Sequence, residues 1–99
     1  MDDSTPLPRA SYPRIAPLYR FQWEAAQNAY VLLFPEGMVQ LNVAAGEILR
    51  RCDGRCSADE IIADLRAAFQ SDAIDGDVEA FLRSATRDGW VEWREAVTP

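Results

Sequence analysis

The chain has 99 residues, enough for one modest domain that buries on the order of 60% of the surface its unfolded form exposes. Sixteen acidic side chains against 10 basic ones leave a net charge of −6, which disfavours a nucleic-acid partner, because phosphate binding needs a basic face. Histidine is absent, which removes the commonest general acid–base near neutral pH and the commonest metal ligand.

Cys52 and Cys56 are the two cysteines, and two thiols without histidine cannot complete a four-ligand zinc site. They read as a buried helix-end thiol and a loop thiol, and no metal or cofactor is expected. No apolar run approaches the roughly 20 residues of a membrane span. No charged-then-apolar leader is present either, so the expected location is the cytoplasm.

Residues 1–14 hold Pro6, Pro8 and Pro13 among Asp, Ser and Thr, with no apolar period. They read as a flexible Pro-rich arm ahead of a domain over residues 15–95. From Leu18 to Glu24 the chain alternates, with Tyr19, Phe21 and Trp23 on one face and Arg20, Gln22 and Glu24 on the other. That is a first strand with its aromatic face toward the core. Ala25 to Ala29 makes a loop, and Val31 to Phe34 is a β-favouring apolar run. Pro35-Glu36-Gly37 reads as a three-residue hairpin closed by a positive φ at Gly37 and a bulge. Met38 to Leu41 follows as a third strand. Short connections favour an antiparallel meander, which leaves the first and third strands as edges.

Asn42 supplies a side-chain oxygen to cap a first helix over Val43 to Cys52, with Ile48, Leu49 and Cys52 as its apolar stripe. Gly54 suits the left-handed position beyond it. Ser57 and Glu60 form a capping box before a second helix carrying Ile61, Ile62, Leu65 and Phe69 on one face. A third helix begins near Asp75 to Asp77 and sets Val78, Phe81, Leu82 and Ala85 at helical spacing, with Gly89 after its end. Trp90 to Trp93 reads as an extended tail that covers apolar surface. The fold class is therefore α+β: a small winged-helix-like domain, a three-stranded antiparallel sheet followed by three helices.

Catalytic constellations are missing. No Ser/His/Asp or Cys/His set exists, the glycines are scattered over turns and caps, and Asp59/Glu60 and Asp75/Asp77 sit at helix starts where capping explains them. The chain reads as a non-enzyme. An unpaired edge strand over Met38 to Leu41 offers backbone groups that an added peptide strand satisfies. Phe81, Leu82 and Ala85 of the third helix suit the wall of a groove beside it; plain core is the other reading of Phe81 and Leu82. Proline at Val39 is expected to remove one backbone donor from that edge.

The order Leu32-Leu33-x-Pro35-Glu36-Gly37, Leu41-Asn42, Ile48-Leu49-x-x-Cys52-Asp53-Gly54, Asp77-Val78-x-x-Phe81-Leu82 and Gly89-Trp90 resembles the PqqD family over about Ile15 to Trp93. That family serves pyrroloquinoline quinone (PQQ) biosynthesis. The resemblance implies a peptide chaperone with a RiPP recognition element fold. Such a protein binds the leader of the precursor peptide PqqA and presents it to the radical-SAM enzyme PqqE. In the family the leader adds a strand to the third strand and lies against the third helix. The resemblance thus points to Met38, Val39, Gln40 and Leu41 for backbone pairing. It also points to Val78, Phe81, Leu82 and Ala85 for the helix wall, with Arg83 as a charge partner.

Three other readings compete. One is a recognition domain for another ribosomally made modified peptide. Another is a winged-helix DNA-binding regulator, which the mixed charge of the third helix opposes. The last is a homodimer joined through the edge strand.

Overall fold

In the computed structural model the described residues are 7–95, so most of the expected arm, Met1 to Pro6, lies outside them. The elements are β1 (Tyr12–Ile15), β2 (Arg20–Glu24), β3 (Ala29–Phe34), β4 (Gly37–Gln40), α1 (Val43–Arg50), α2 (Ala58–Phe69), α3 (Asp75–Arg87) and β5 (Val91–Arg94). Strands β2, β3 and β4 form the expected antiparallel sheet in that order, and three helices follow. The α+β architecture is thus as expected, with one addition: β1 and β5 make a second, two-stranded antiparallel sheet.

That ribbon corrects the expected flexible arm and pairs the tail, which is extended and packs Trp90 and Trp93 against the core as expected. Tyr12 pairs with Arg94, Pro13 with Trp93, Arg14 with Glu92 and Ile15 with Val91. Pro13 is fully buried, Leu7 packs into the core, and Arg14 is ion-paired to Glu92. Arg9 bridges to Asp59 at 2.8 Å and Glu79 at 3.4 Å, which ties the entering chain to α2 and α3. No local periodicity marks these residues because their partners lie at the far end of the chain. Trp93 Nε1 donates to Thr86 Oγ1 at 2.8 Å and fastens β5 to α3.

The hairpin between β3 and β4 also differs from expectation. Phe34 pairs directly with Gly37, so the turn is Pro35-Glu36 alone, and the pairing continues without a bulge to Val31 and Gln40. The loop between β2 and β3 turns at Asn28, which adopts the left-handed conformation (φ 52°) that Asn tolerates.

Helix starts follow the sequence closely. Asn42 Oδ1 accepts from Ala45 N–H at 2.7 Å. Ser57 and Glu60 exchange both capping-box bonds, at 3.2 and 2.9 Å. Gly54 takes the expected left-handed conformation (φ 80°) after α1. The core gathers Leu32 from the sheet, Ile48 and Leu49 from α1, Ile61, Ile62 and Leu65 from α2, Leu82 from α3 and Val91 from β5.

Helix α1 lies so close to β3 that a Cβ at Gly46 would stand 2.8 Å from Tyr30 Cδ2. Only glycine allows this approach. It seats the start of α1, and everything built on it, at the end of β4.

Candidate functional site

Among the described residues, β4 pairs only with β3, so its other side is an unpaired edge. The phase of its hydrogen bonds follows from one contact. Leu41 N–H donates to Tyr30 C=O at 2.9 Å, in the same register that pairs Val39 with Leu32 and Gly37 with Phe34. Facing residues of an antiparallel pair alternate between bonded and non-bonded. Gly37, Val39 and Leu41 therefore turn their N–H and C=O groups inward to β3, while Met38 and Gln40 turn theirs outward.

Side chains alternate too: Val39 and Leu41 pack toward the core, and Met38 and Gln40 are exposed on the opposite face. This corrects the proline expectation, since Val39 N–H belongs to the ladder and its loss would damage the sheet.

Where β4 ends, a groove of about 340 Å³ opens. Its walls are Asn42, Ala44, Ala45 and Ile48 from the start of α1, Leu65 and Phe69 from α2, Ile74 from the following turn, and Asp77, Val78 and Phe81 from α3. All but Asn42 and Asp77 are apolar. Phe69 ends the apolar stripe of α2 yet is 44% exposed, because the groove runs beneath it instead of core.

The expected site residues separate into three groups. Met38 and Gln40 present the edge, with Val39 and Leu41 behind it. Val78 and Phe81 reach the groove, Val78 from an almost fully buried position. Leu82 and Ala85, at 0% and 1% exposure, are core residues that hold α3 in place. A helix's i, i+3, i+4 stripe cannot say which of its members meets the core and which meets a groove. Arg83 lies on a different face of α3, beside Ala80, Ser84 and Arg87.

Ala44, Ala45, Ile48, Phe69 and Ile74 were not anticipated as groove residues. The one local signal was the position of Phe69 and Ile74 on either side of the turn-rich Ser71 to Ala73, where two helices meet.

The titratable groups are structural. Burial, then Asp53 and Cys56, pushes the Cys52 thiol up to about 12, and its Sγ donates to Ile48 C=O at 3.4 Å. The hydrogen bond from Arg51 lowers the Glu47 pKa, and that from Arg66 lowers the Asp75 pKa. Among the described residues no three His, Cys, Asp or Glu side chains gather as metal ligands.

Fold and site together define a small winged-helix-like domain whose distinguishing surfaces are an unpaired strand edge and an apolar groove that begins two residues beyond it. Comparison with known proteins places it further: residues 29–91 match the family model of coenzyme PQQ synthesis protein D, and the chain belongs to the PqqD family. It is 49% identical over 81 residues to the PqqA binding protein of Azotobacter vinelandii, spanning 81% of this chain and 88% of that protein. It is 48% identical over 83 residues to that of Pseudomonas aeruginosa PAO1, spanning 83% and 90%. The solution structure of the PqqD part of Methylobacterium extorquens PqqCD, described as a stand-alone RiPP recognition element, has the same fold. It aligns with a TM-score of 0.67 at 24% identity over 87% of this chain and 99% of that one.

Proposed function

We propose that this protein is a peptide chaperone of PQQ biosynthesis. It binds the leader of the precursor peptide PqqA by strand addition to β4 and presents it to the radical-SAM enzyme PqqE. The observation that carries this reading is the unpaired edge of β4 together with an apolar groove whose lining begins at Asn42, two residues past the strand. Backbone pairing at such an edge supplies affinity without regard to sequence, and an adjacent pocket supplies selectivity. The names of the relatives at 48–49% identity support PqqA as the peptide.

The role requires no reaction centre, cofactor or metal, and the protein acts as a binder rather than an enzyme. It acts in the cytoplasm, where a ribosomally made precursor is found; no helix among the described residues is long and apolar enough to cross a membrane. The acidic start of α3 (Asp75, Asp77, Glu79) disfavours the DNA-reading alternative, since a recognition helix needs basic side chains toward phosphate. Self-association through β4 would compete with the leader for one edge.

Titration of labelled protein with PqqA tests the reading. Saturable amide shifts over Gly37 to Gln40 and around the groove are expected, and no binding at all would refute it. Presentation is tested separately: PqqE should capture PqqA more tightly when this protein is present. A variant that binds PqqE but not PqqA should lose that effect.

A further inference from the structure

Helix α3 begins without a cap of its own. Asn42 and Ser57 accept first-turn N–H groups of α1 and α2, but Ile74 stands at the N-cap of α3, and its side chain has nothing to accept with. At the other end Trp93 fastens α3 through Thr86. The uncapped end is the one that walls the groove, with Ile74, Asp77 and Val78. Resting on the peptide-binding reading, we infer that Arg9, ahead of β1, is a positioning residue for that end. It holds the start of α3 against α2 and so sets the groove and the affinity for PqqA.

Arg9 leaves the backbone from a fixed point. Ser57 Oγ takes the N–H of Glu60, and the two donors before it go to the entering chain. Ala58 N–H donates to Ser11 C=O at 3.1 Å, and Asp59 N–H donates to Arg9 C=O at 2.9 Å. Leu7, two residues earlier, is buried in the core. Residues 7–11 are thus pinned to the first turn of α2.

From there the guanidinium of Arg9 spends each nitrogen on a different carboxylate. Nε stands 2.8 Å from Asp59 Oδ1, shielded from solvent, a charge contact in which the N–H does not align as a hydrogen bond. Nη1 is 3.4 Å from Glu79 and Nη2 is 4.0 Å from Asp75. One partner is on α2 and two are on α3. Asp75 and Glu79 lie four apart with like charge, an arrangement that opposes the helix until a cation joins them. Arg66 of α2 adds a second tie, its Nε donating to Asp75 Oδ1 at 2.8 Å. Lysine has one nitrogen and no fork, so it cannot span the three carboxylates in this way.

Partly exposed ion pairs contribute little to global stability, so the fold should survive the loss of Arg9. Groove geometry is more sensitive, because Leu65 and Phe69 of α2 and Val78 and Phe81 of α3 all wall it.

Arg9→Gln in the full-length protein tests this role. Arg14→Gln, which breaks the ion pair to Glu92 on the β1–β5 ribbon, is the control. Without peptide, the side-chain NMR shifts of Val78 and Phe81 should change in Arg9→Gln, while the amides of Gly37 to Gln40 stay fixed. Unmoved Val78 and Phe81 overturn the positioning role whether or not PqqA binds. With synthetic PqqA, affinity should fall about fivefold in Arg9→Gln and by less than about twofold in Arg14→Gln. Equal losses would reduce Arg9 to a general contributor to stability and overturn the inference. The deficit of Arg9→Gln should shrink as salt approaches about 1 M, where the ion pairs of the wild type are screened too. A deficit that persists undiminished removes these pairs as its cause. Arg9→Lys should recover less than half of the lost affinity, and full recovery overturns the role of the fork. If the wild-type protein does not bind PqqA, the peptide-binding reading fails, and the shifts of the free protein still decide whether Arg9 positions α3.

Discussion

Strands β2 and β4 flank the same central strand, and each turns the backbone groups of two residues outward: Phe21 and Trp23 on β2, Met38 and Gln40 on β4. As hydrogen-bonding templates they are equivalent. Their side chains differ. β2 carries Arg20 and Glu24, charges of the kind that discourage edge-to-edge pairing, while Gly37-Met38-Val39-Gln40 carries none. Trp23 on β2 is 51% exposed and leans edge-on against Tyr30, in a hollow shared with the polar Gln27, Asn28 and Glu47. Gln40 and Leu41 line that hollow too, but the chain beyond β4 goes on at Asn42 to wall the apolar groove beneath Phe69 and Phe81. An open edge becomes a selective site when it has no charge to repel a strand and has a receptacle for one of its side chains.

The sharpest way to break this comparison is a pair of prolines at outward-facing positions. Gln40→Pro removes an outward donor and should weaken PqqA binding by well over about tenfold. Trp23→Pro, equivalent in phase on β2, should leave affinity within about twofold provided circular dichroism shows an intact fold. Equal losses would mean that the edges are not distinct.

Next in size is the seat of α1. Gly46→Ala drives a methyl into Tyr30 and should cost about 1–3 kcal/mol, measured by urea unfolding, and shift the start of α1, which walls the groove. Affinity for PqqA should drop even where the variant remains folded.

A smaller effect is expected from disarming β2. Replacing Arg20 and Glu24 together by Thr should leave PqqA binding unchanged and raise the apparent mass in light scattering as the concentration increases. A strictly monomeric double variant would show that these charges do not guard the edge.

The smallest effects are pH-dependent and shared by both edges. Cys52 keeps its proton in the fold up to about 12 against an ordinary 9.0. Above pH 9 the unfolded chain alone releases it, so stability should decline as pH rises past that point. Glu47, held below its ordinary 4.5 by Arg51, adds stability at neutral pH that is lost as pH falls below that value. Denaturation followed across pH should show both declines, and Ellman's reagent at pH 8 should label Cys56 well before Cys52.

Local chemistry alone determined much of this protein. Asn42 and the Ser57–Glu60 box mark helix starts because capping involves atoms only two or three residues apart. Alternation over Arg20 to Glu24 and the helical stripes of α2 and α3 declared strands and helices for the same reason, and the motif order carried the family. The edge at Met38 to Leu41 followed from short connections between consecutive strands.

Tertiary structure decided the rest. Tyr12 to Ile15 became a strand because Val91 to Arg94, at the other end of the chain, pairs with it. The inward or outward sense of each β4 backbone group depended on the register against β3, which a one-residue change of turn length reverses. Leu82 and Ala85 went to the core and Phe81 to the groove because α1 and α2 cover only part of the α3 face. Three elements meet to make that groove, and no single stretch of sequence contains it.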